Sequence, residues 1–396
     1  MKNALPIFSF LLLVFQLHAQ QFKTVGYVAM WNVDTCTIQW DKLTHINLAF
    51  ANPDAAGQLH IDGENPSAIV AAAHAHGVEV FISLAGGYLQ PDWESAWNYW
   101  MQPEYRGVYI SNILQYVQEN NLDGVDIDLE WQYVNDLYSP FVLALKDSLQ
   151  WAGWPMTAAL PGSYRYPQIT AEALAAFDWV NLMIYDLTGP WAPDNPGQHS
   201  PYTWAEQCLQ YWNAQGLPGN RQTLGVPFYG YDFGTNPVNG LDYSEIVALN
   251  PDNAQQDQTG QLYYNGIPTI VAKTQLAMQQ TAGVMIWELG GDVCAPYEDY
   301  SLLSAIYQTI QTVSTEAPTL PMLLTMYPNP AADLIQVPSM LLRFERYELI
   351  DMQGIVQKEG RLATDGNIPL QGLASGLYAV KVYAGDAVGV GRFVKM

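Results

Sequence analysis

Short apolar runs recur at residues 25–31, 45–51, 78–85, 124–131, 155–161, 179–186, 224–229 and 284–289. Their apolar residues are nearly continuous, which suits strands buried on both faces of a parallel sheet. Between them lie helical patterns at 66–76, 105–119, 141–151, 171–177, 204–214 and 270–278, and one more at 302–312 follows the eighth run. Eight strand–helix units in about 290 residues predict an α/β fold, a closed (β/α)8 TIM barrel. A doubly wound open sheet is the alternative. It carries a glycine-rich phosphate loop after its first strand, whereas Met30-Trp31-Asn32-Val33-Asp34 stands there.

Towards the C-terminus the period changes to two, at 334–337, 347–352, 377–383 and 391–394, with turn residues such as Ser375-Gly376 between the runs. This predicts a small all-β, antiparallel sandwich over 323–396. Residues 313–322 lack periodicity and read as a linker. At the other end, Lys2, an apolar run from Ala4 to Leu17 and the small-residue exit Leu17-His18-Ala19 read as a secretory signal peptide, 1–20. That leaves 21–312 for the barrel. No later stretch reaches the roughly 18 apolar residues of a membrane span.

Charge sharpens the division. The chain has 15 Lys+Arg against 38 Asp+Glu, a net charge of −23. Nucleic acid is excluded as a partner, because polyanions need clustered Lys and Arg. With 49% hydrophobic residues the chain is too apolar to stay unfolded. All 13 Trp lie between Trp31 and Trp287, whereas residues 323–396 hold 7 basic and 7 acidic residues and no Trp. An acidic, Trp-rich part thus joins a neutral, Trp-free one.

Barrel chemistry sits at the C-terminal ends of the strands. Here those ends read Trp31, Phe50, Gly86-Gly87, Glu130-Trp131, Pro161, Tyr185-Asp186, Tyr229 and Trp287-Glu288. Aromatic rings and carboxylates suit a neutral polar ligand with apolar faces, a sugar above all. The lack of Lys or Arg among them argues against phosphate.

The most informative segment is Asp123-Gly124-Val125-Asp126-Ile127-Asp128-Leu129-Glu130. Side chains alternate across a strand, so Asp126, Asp128 and Glu130 share one face and Val125, Ile127 and Leu129 the other. With the apolar face on the helices, the acids point into the barrel. Three buried like charges cannot all stay ionised, so at least one pKa rises. Unpaired buried charge costs several kcal/mol, roughly, and a fold has no stability reason to place it there. No His or further acid stands at ligand spacing, so no metal and no cofactor is expected.

This segment resembles the Asp-Gly-x-Asp-x-Asp-x-Glu signature of glycoside hydrolase family 18, the chitinases and their relatives, at every position. Met183-Ile184-Tyr185-Asp186 with Gly189-Pro190-Trp191, Gly225-Val226-Pro227-Phe228-Tyr229-Gly230 and Gly283-Val284-Met285-Ile286-Trp287-Glu288 are similar to its sixth-, seventh- and eighth-strand words. The resemblance implies a secreted chitinase working by a substrate-assisted, retaining mechanism. In it Glu130 is the general acid and Asp128 orients the 2-acetamido group. Asp126 shares a proton with Asp128, and Tyr185 donates to the acetamido oxygen. Trp287 forms the sugar floor with Met183 beside it, and Asp186 contacts the leaving side. Trp31, Phe50, Trp131 and Tyr229 complete the expected substrate lining. Asp123, of opposite parity, reads as structural. An endo-β-N-acetylglucosaminidase, a sugar-binding lectin and a surface adhesin are the rival readings. Tyr185-Asp186 speaks against the first, and the presence of Glu130 against the second.

Three departures from the family pattern matter. Ala85 replaces the first Gly of the third-strand Ser-x-Gly-Gly, which is expected to shift packing only slightly. Tyr231 stands where Arg is common. Only 53 residues separate Gly230 from Val284, too few for the large insertion of processive members, which favours an open cleft and internal cutting.

The tail words Tyr327-Pro328-Asn329-Pro330, Leu373-Ala374-Ser375-Gly376-Leu377-Tyr378 and Arg392-Phe393-Val394-Lys395-Met396 resemble the C-terminal sorting domain of type IX secretion. That implies the secretion machinery as a partner and an extracellular or cell-surface location. A monomer acting on chitin or N-acetylglucosamine oligosaccharides is expected. Of the three cysteines, Cys36 follows strand one and Cys294 strand eight, neighbours in a closed barrel, so a bridge between them is one pairing the odd count allows. Cys208 reads as a packed core residue.

Overall fold

Eight parallel strands form a closed ring: β1 Lys23–Ala29, β2 His45–Pro53, β3 Glu79–Gly86, β4 Gly124–Leu129, β5 Met156–Pro161, β6 Trp179–Met183, β7 Gln222–Pro227 and β8 Gly283–Trp287. Each pairs with the next, and β1 pairs with both β2 and β8, which closes the barrel. This computed structural model describes residues 22–63, 65–316, 322–337, 345–351, 355–362, 366–384 and 387–396; the expected signal peptide lies outside them. Two compact units divide between Ile310 and Gln311.

The strands alternate between two environments. Val125, Ile127 and Leu129 join the main core, where they meet the helices, as do Ile184, Val284 and Ile286. Val25, Tyr27, Ala49, Ala159, Tyr185 and Met285 form a separate interior cluster, with Phe50, Met183, Tyr229 and Trp287 packed against it. The helices run α1 Ser67–Ala75, α2 Pro91–Trp100, α3 Arg106–Glu119, α4 Tyr138–Ala152, α5 Ala171–Ala176, α6 Tyr202–Ala214, α7 Tyr243–Leu249, α8 Ile267–Gln280 and α9 Leu302–Glu316.

Two elements go beyond the periodicity reading. Helix α2, with Pro91 in its first turn, buries Trp97 edge-on against Tyr109 and Phe141. The segment between β7 and β8 is not a plain loop and helix. It folds Tyr229–Asp232, Asn239–Asp242, Gln258–Thr259 and Leu262–Tyr263 into a four-stranded antiparallel sheet. Cys36 and Cys294 are disulfide-bonded, their Cα atoms 5.9 Å apart, tying the loop after β1 to the loop after β8. Cys208 is free and buried.

Helix α9 continues past residue 312 to Glu316, into the expected linker. No proline interrupts it before Pro318. Residues 317–321 lie outside the described residues. The C-terminal unit is all-β. Its five-stranded sheet orders Met322–Thr325, Ala387–Lys395, Gly376–Ala384, Arg346–Ile350 and Val356–Arg361, and Leu334–Gln336 pairs with Asn367–Pro369. The expected antiparallel pattern is broken where Met322–Thr325 runs parallel to the last strand and where Ala331 makes a parallel bridge to Lys395. The core of this unit is Ile335, Val337, Tyr347, Leu349, Ile368, Val380, Val382 and Phe393, among others.

Candidate active site

Strand β4 turns its acids inward at successive heights. Asp126, deepest and fully buried, accepts four side-chain hydrogen bonds. Tyr27 Oη and Ser83 Oγ each donate to Oδ2 at 2.7 Å. Thr157 Oγ1 and Asn181 Nδ2 donate to Oδ1 at 2.5 and 3.2 Å. A second layer fixes Asn181, whose Oδ1 accepts from Thr223 Oγ1 at 2.7 Å and Trp179 Nε1 at 3.1 Å. Burial pushes the Asp126 carboxyl up, and these donors pull it back.

Asp128 differs sharply. It is 3% exposed, and its Oδ1 is buried with no hydrogen-bond partner. Burial first, then the charges of Glu130 and Asp126, hold its pKa well above the carboxylate range. The Asp126 oxygens accept from these four side chains, and among the described residues no hydrogen bond joins Asp126 to Asp128, so the proton expected between them stays a proposal.

Glu130 follows the end of β4 in extended conformation and precedes a short 3-10 turn, Trp131–Tyr133, without a capping bond from its side chain. Burial, then the charge of Asp186, pushes its pKa up to about 7. Its Oε1 lies against Gly87: a Cβ there would come within 2.5 Å. A carboxyl that keeps its proton near neutrality, at the mouth of a hollow, can serve as a proton donor.

Most expected site residues converge on two adjoining hollows. One is lined by Glu130, Trp131, Met183, Tyr185 and Asp186, the other by Trp31 and Phe50 together with Gly86 and Gly87. Trp287 stands beside the second, stacked on Phe50 with ring centroids 5.6 Å apart, while Phe50 stacks on Trp31 at 5.9 Å. Trp131 is 62% exposed at the rim, and its backbone N–H donates to Tyr166 Oη at 2.9 Å. Tyr185 is buried, its hydroxyl 3.8 Å from Met285 Sδ. Tyr229 reaches the site through Asp186, donating to its Oδ1 at 2.6 Å, and Tyr231 donates to the same atom at 3.0 Å. Asp126 lies beneath, among its donors. Asp123 is elsewhere: its Oδ2 accepts from Val80 N at 2.7 Å and meets His74 Nε2 at 2.8 Å.

Among the residues that sequence reasoning missed are four aromatic ones. Trp204 and Tyr164 line the first hollow, Tyr88 and Trp93 the second. Trp204 falls in the first turn of α6, directly after the β6 loop, and a helix's first turn after such a loop faces the catalytic end of a barrel. That signal was available.

Among the described residues, three of the four non-glycine residues with positive φ border this site: Ala85 at 92°, Trp131 at 52° and Asp186 at 66°. Ala85 was expected to matter only for packing. The backbone there is left-handed, which explains why glycine is the better fit.

The family model "Glycosyl hydrolases family 18" matches residues 23–292. The chain belongs to glycoside hydrolase family 18. A second model, "Secretion system C-terminal sorting domain", matches residues 325–396 and indicates type IX secretion, to the cell surface or beyond. Among solved structures, this family 18 chain is similar to a chitinase from the chitin utilization locus of Flavobacterium johnsoniae, with 40% identity and a TM-score of 0.72 over 74% of this chain and 96% of that one. It is similar to a chitinase from Bacteroides thetaiotaomicron at 32% identity and a TM-score of 0.64, over 73% and 96% of the two chains. A chitinase-like effector of Moniliophthora perniciosa is 29% identical over 59% of this chain, and the match spans 61% of that relative's length. No helix among the described residues is long and apolar enough to cross a membrane.

Proposed function

We propose that the protein is a secreted, endo-acting chitinase that hydrolyses β-1,4-linked N-acetylglucosamine polymers by a substrate-assisted, retaining mechanism. The observation that carries this reading is the pair of adjacent acids: Asp128, buried with an oxygen that has no partner, and Glu130, whose carboxyl is pushed up to about 7. A fold gains nothing by burying an unpaired carboxyl. A substrate amide that supplies the missing partner gives it a purpose.

Glu130 donates its proton to the glycosidic oxygen as the C1–O bond breaks. The substrate's own acetamido oxygen attacks C1 from the opposite face and forms an oxazolinium ion, the exception to the two-carboxylate scheme. Asp128 turns the acetamido group into place, and its free oxygen accepts the amide N–H. Tyr185 donates its hydroxyl to the acetamido oxygen. Water then attacks C1, returning its proton to Glu130, so the configuration is retained. Burial, then the charges of Glu130 and Asp126, favour the protonated form of Asp128 at rest. Trp287 is the floor for the distorted sugar, with Met183 beside it.

Internal cutting is favoured by exposed rings on both sides of the site. Trp31 is 50% exposed, and Trp131, Tyr164 and Trp191 are 62%, 51% and 58% exposed. A product profile on N-acetylglucosamine hexamer tests the reading. Several product lengths at early times support an endo-acting chitinase; dimer alone speaks for cutting from an end. Binding with no product at all would favour a lectin.

A further inference from the structure

Asp186 follows β6 with φ at 66°, in the left-handed region that Asp enters more readily than most non-glycine residues. A second segment, His199-Ser200, runs alongside and bonds to the main chain on either side of it. Ser200 Oγ donates to the Ile184 carbonyl, and the Leu187 N–H donates to the His199 carbonyl at 2.9 Å. Between these two bonds lies the His199 ring, wholly buried. Its Nε2 is 3.2 Å from the Tyr229 carbonyl oxygen, which can only accept; this assigns the ring proton to Nε2. Nδ1 accepts from the Asp186 backbone N–H at 3.4 Å and lies 3.5 Å from Asp186 Oδ1.

The same ring packs against Tyr229 and Tyr231, with centroids 5.0 Å away in both cases. Those two tyrosines supply the hydroxyls that hold Asp186 Oδ1. His199 thus touches both the main chain of Asp186 and the rings that grip its side chain. Behind it, buried Lys273 fixes Ser200, its Nζ donating to Ser200 O and Oγ at 2.6 Å and to Asn265 Oδ1 at 2.7 Å. Asp186, Tyr229 and Tyr231 are the titratable groups in contact with the ring. Lys273 stands one residue removed, with Asp257 acting on it in turn.

We propose that His199 is a positioning residue for the glycosidase reaction: it braces the Asp186 main chain so that the carboxylate stays clamped by Tyr229 and Tyr231 and turned toward Glu130. The inference rests on the function proposed above, in which Glu130 is the acid. Its consequence is chemical, because after burial the charge of Asp186 is what raises the Glu130 pKa. Loss of the brace lets Asp186 turn away, and Glu130 then gives up its proton at lower pH. An asparagine at 199 keeps an acceptor where Nδ1 stands; a leucine of similar bulk does not.

The test compares His199→Leu with His199→Asn in the full chain. Steady-state rates on N-acetylglucosamine hexamer are measured across pH, and crystal structures of both variants are solved. Expected for the Leu variant are a kcat lowered at least tenfold, a KM within about threefold of the parent and an alkaline limb moved to lower pH. Its Asp186 carboxylate should also leave Tyr229. Expected for the Asn variant are a kcat within about threefold of the parent and Asp186 in place. Should the Leu variant not fold, His199→Gln, which keeps the bond to the Tyr229 carbonyl and loses the acceptor for Asp186, gives the same contrast. A Leu variant with parental kcat, an unmoved alkaline limb and Asp186 undisturbed would overturn the inference, as would equal loss in both variants. If the parent hydrolyses no acetylated oligomer, it is the proposed function that falls, and the position of Asp186 in the variant crystals still decides this inference.

Discussion

Asp126 and Asp128 stand two residues apart on one face of β4, yet one carboxylate accepts four side-chain hydrogen bonds while the other keeps a buried oxygen with none. The contrast separates support from chemistry. Asp126→Ala should strand four donors inside the barrel and destabilise the protein by about 3 kcal/mol or more. Asp128→Asn should leave the melting temperature unchanged or higher, while kcat falls by about two orders of magnitude. Thermal melts and kinetics on the two variants check both halves.

The proposed acid, Glu130, has a pH signature. Glu130 is raised from its ordinary 4.5 to about 7, so kcat/KM should fall as pH rises through about 7. A raised pKa favours the folded state at low pH, and that advantage is lost as pH climbs from about 4.5 to about 7, up to about 3 kcal/mol. Gln at this position cannot ionise. The melting temperature of Glu130→Gln relative to the parent should therefore rise between pH 5 and pH 8, and a difference independent of pH would count against the assignment.

Gly87 makes room for that carboxyl. An added Cβ would approach Glu130 Oε1 to 2.5 Å, so the acid must shift. Gly87→Ala should lower kcat by at least tenfold with little change in melting temperature; unchanged kinetics would mean that Glu130 needs no fixed seat.

Ala85 offers the opposite test. Its φ of 92° strains a residue with a Cβ. Ala85→Gly should stabilise the fold by about 1 kcal/mol, raising the melting temperature by a few degrees. A lowered melting temperature would show that the Cβ packing outweighs the strain.

The barrel was legible because its strands are near-continuous apolar runs, and β4 because its parity is strict: Val125, Ile127 and Leu129 pack outward while Asp126 and Asp128 point inward. What stayed hidden depends on the third dimension. Tyr27, Ser83, Thr157 and Asn181 come from four other strands, and nothing in their local sequence announces that they meet on Asp126. The sheet between β7 and β8 was missed because strands such as Leu262–Tyr263 are two residues long, below the length at which alternation can be read. The left-handed backbone at Ala85 leaves no mark in the periodicity, although the family's glycine there was a clue.

Rates on fully acetylated chitin oligomers and their deacetylated counterparts test the central claim most directly. In the proposed mechanism the acetamido group that attacks its own anomeric carbon is the nucleophile, so rapid hydrolysis of the acetylated substrate is expected, with at least a thousandfold loss when the sugar at the cleavage site carries a free amine. Equal rates on both polymers would contradict it.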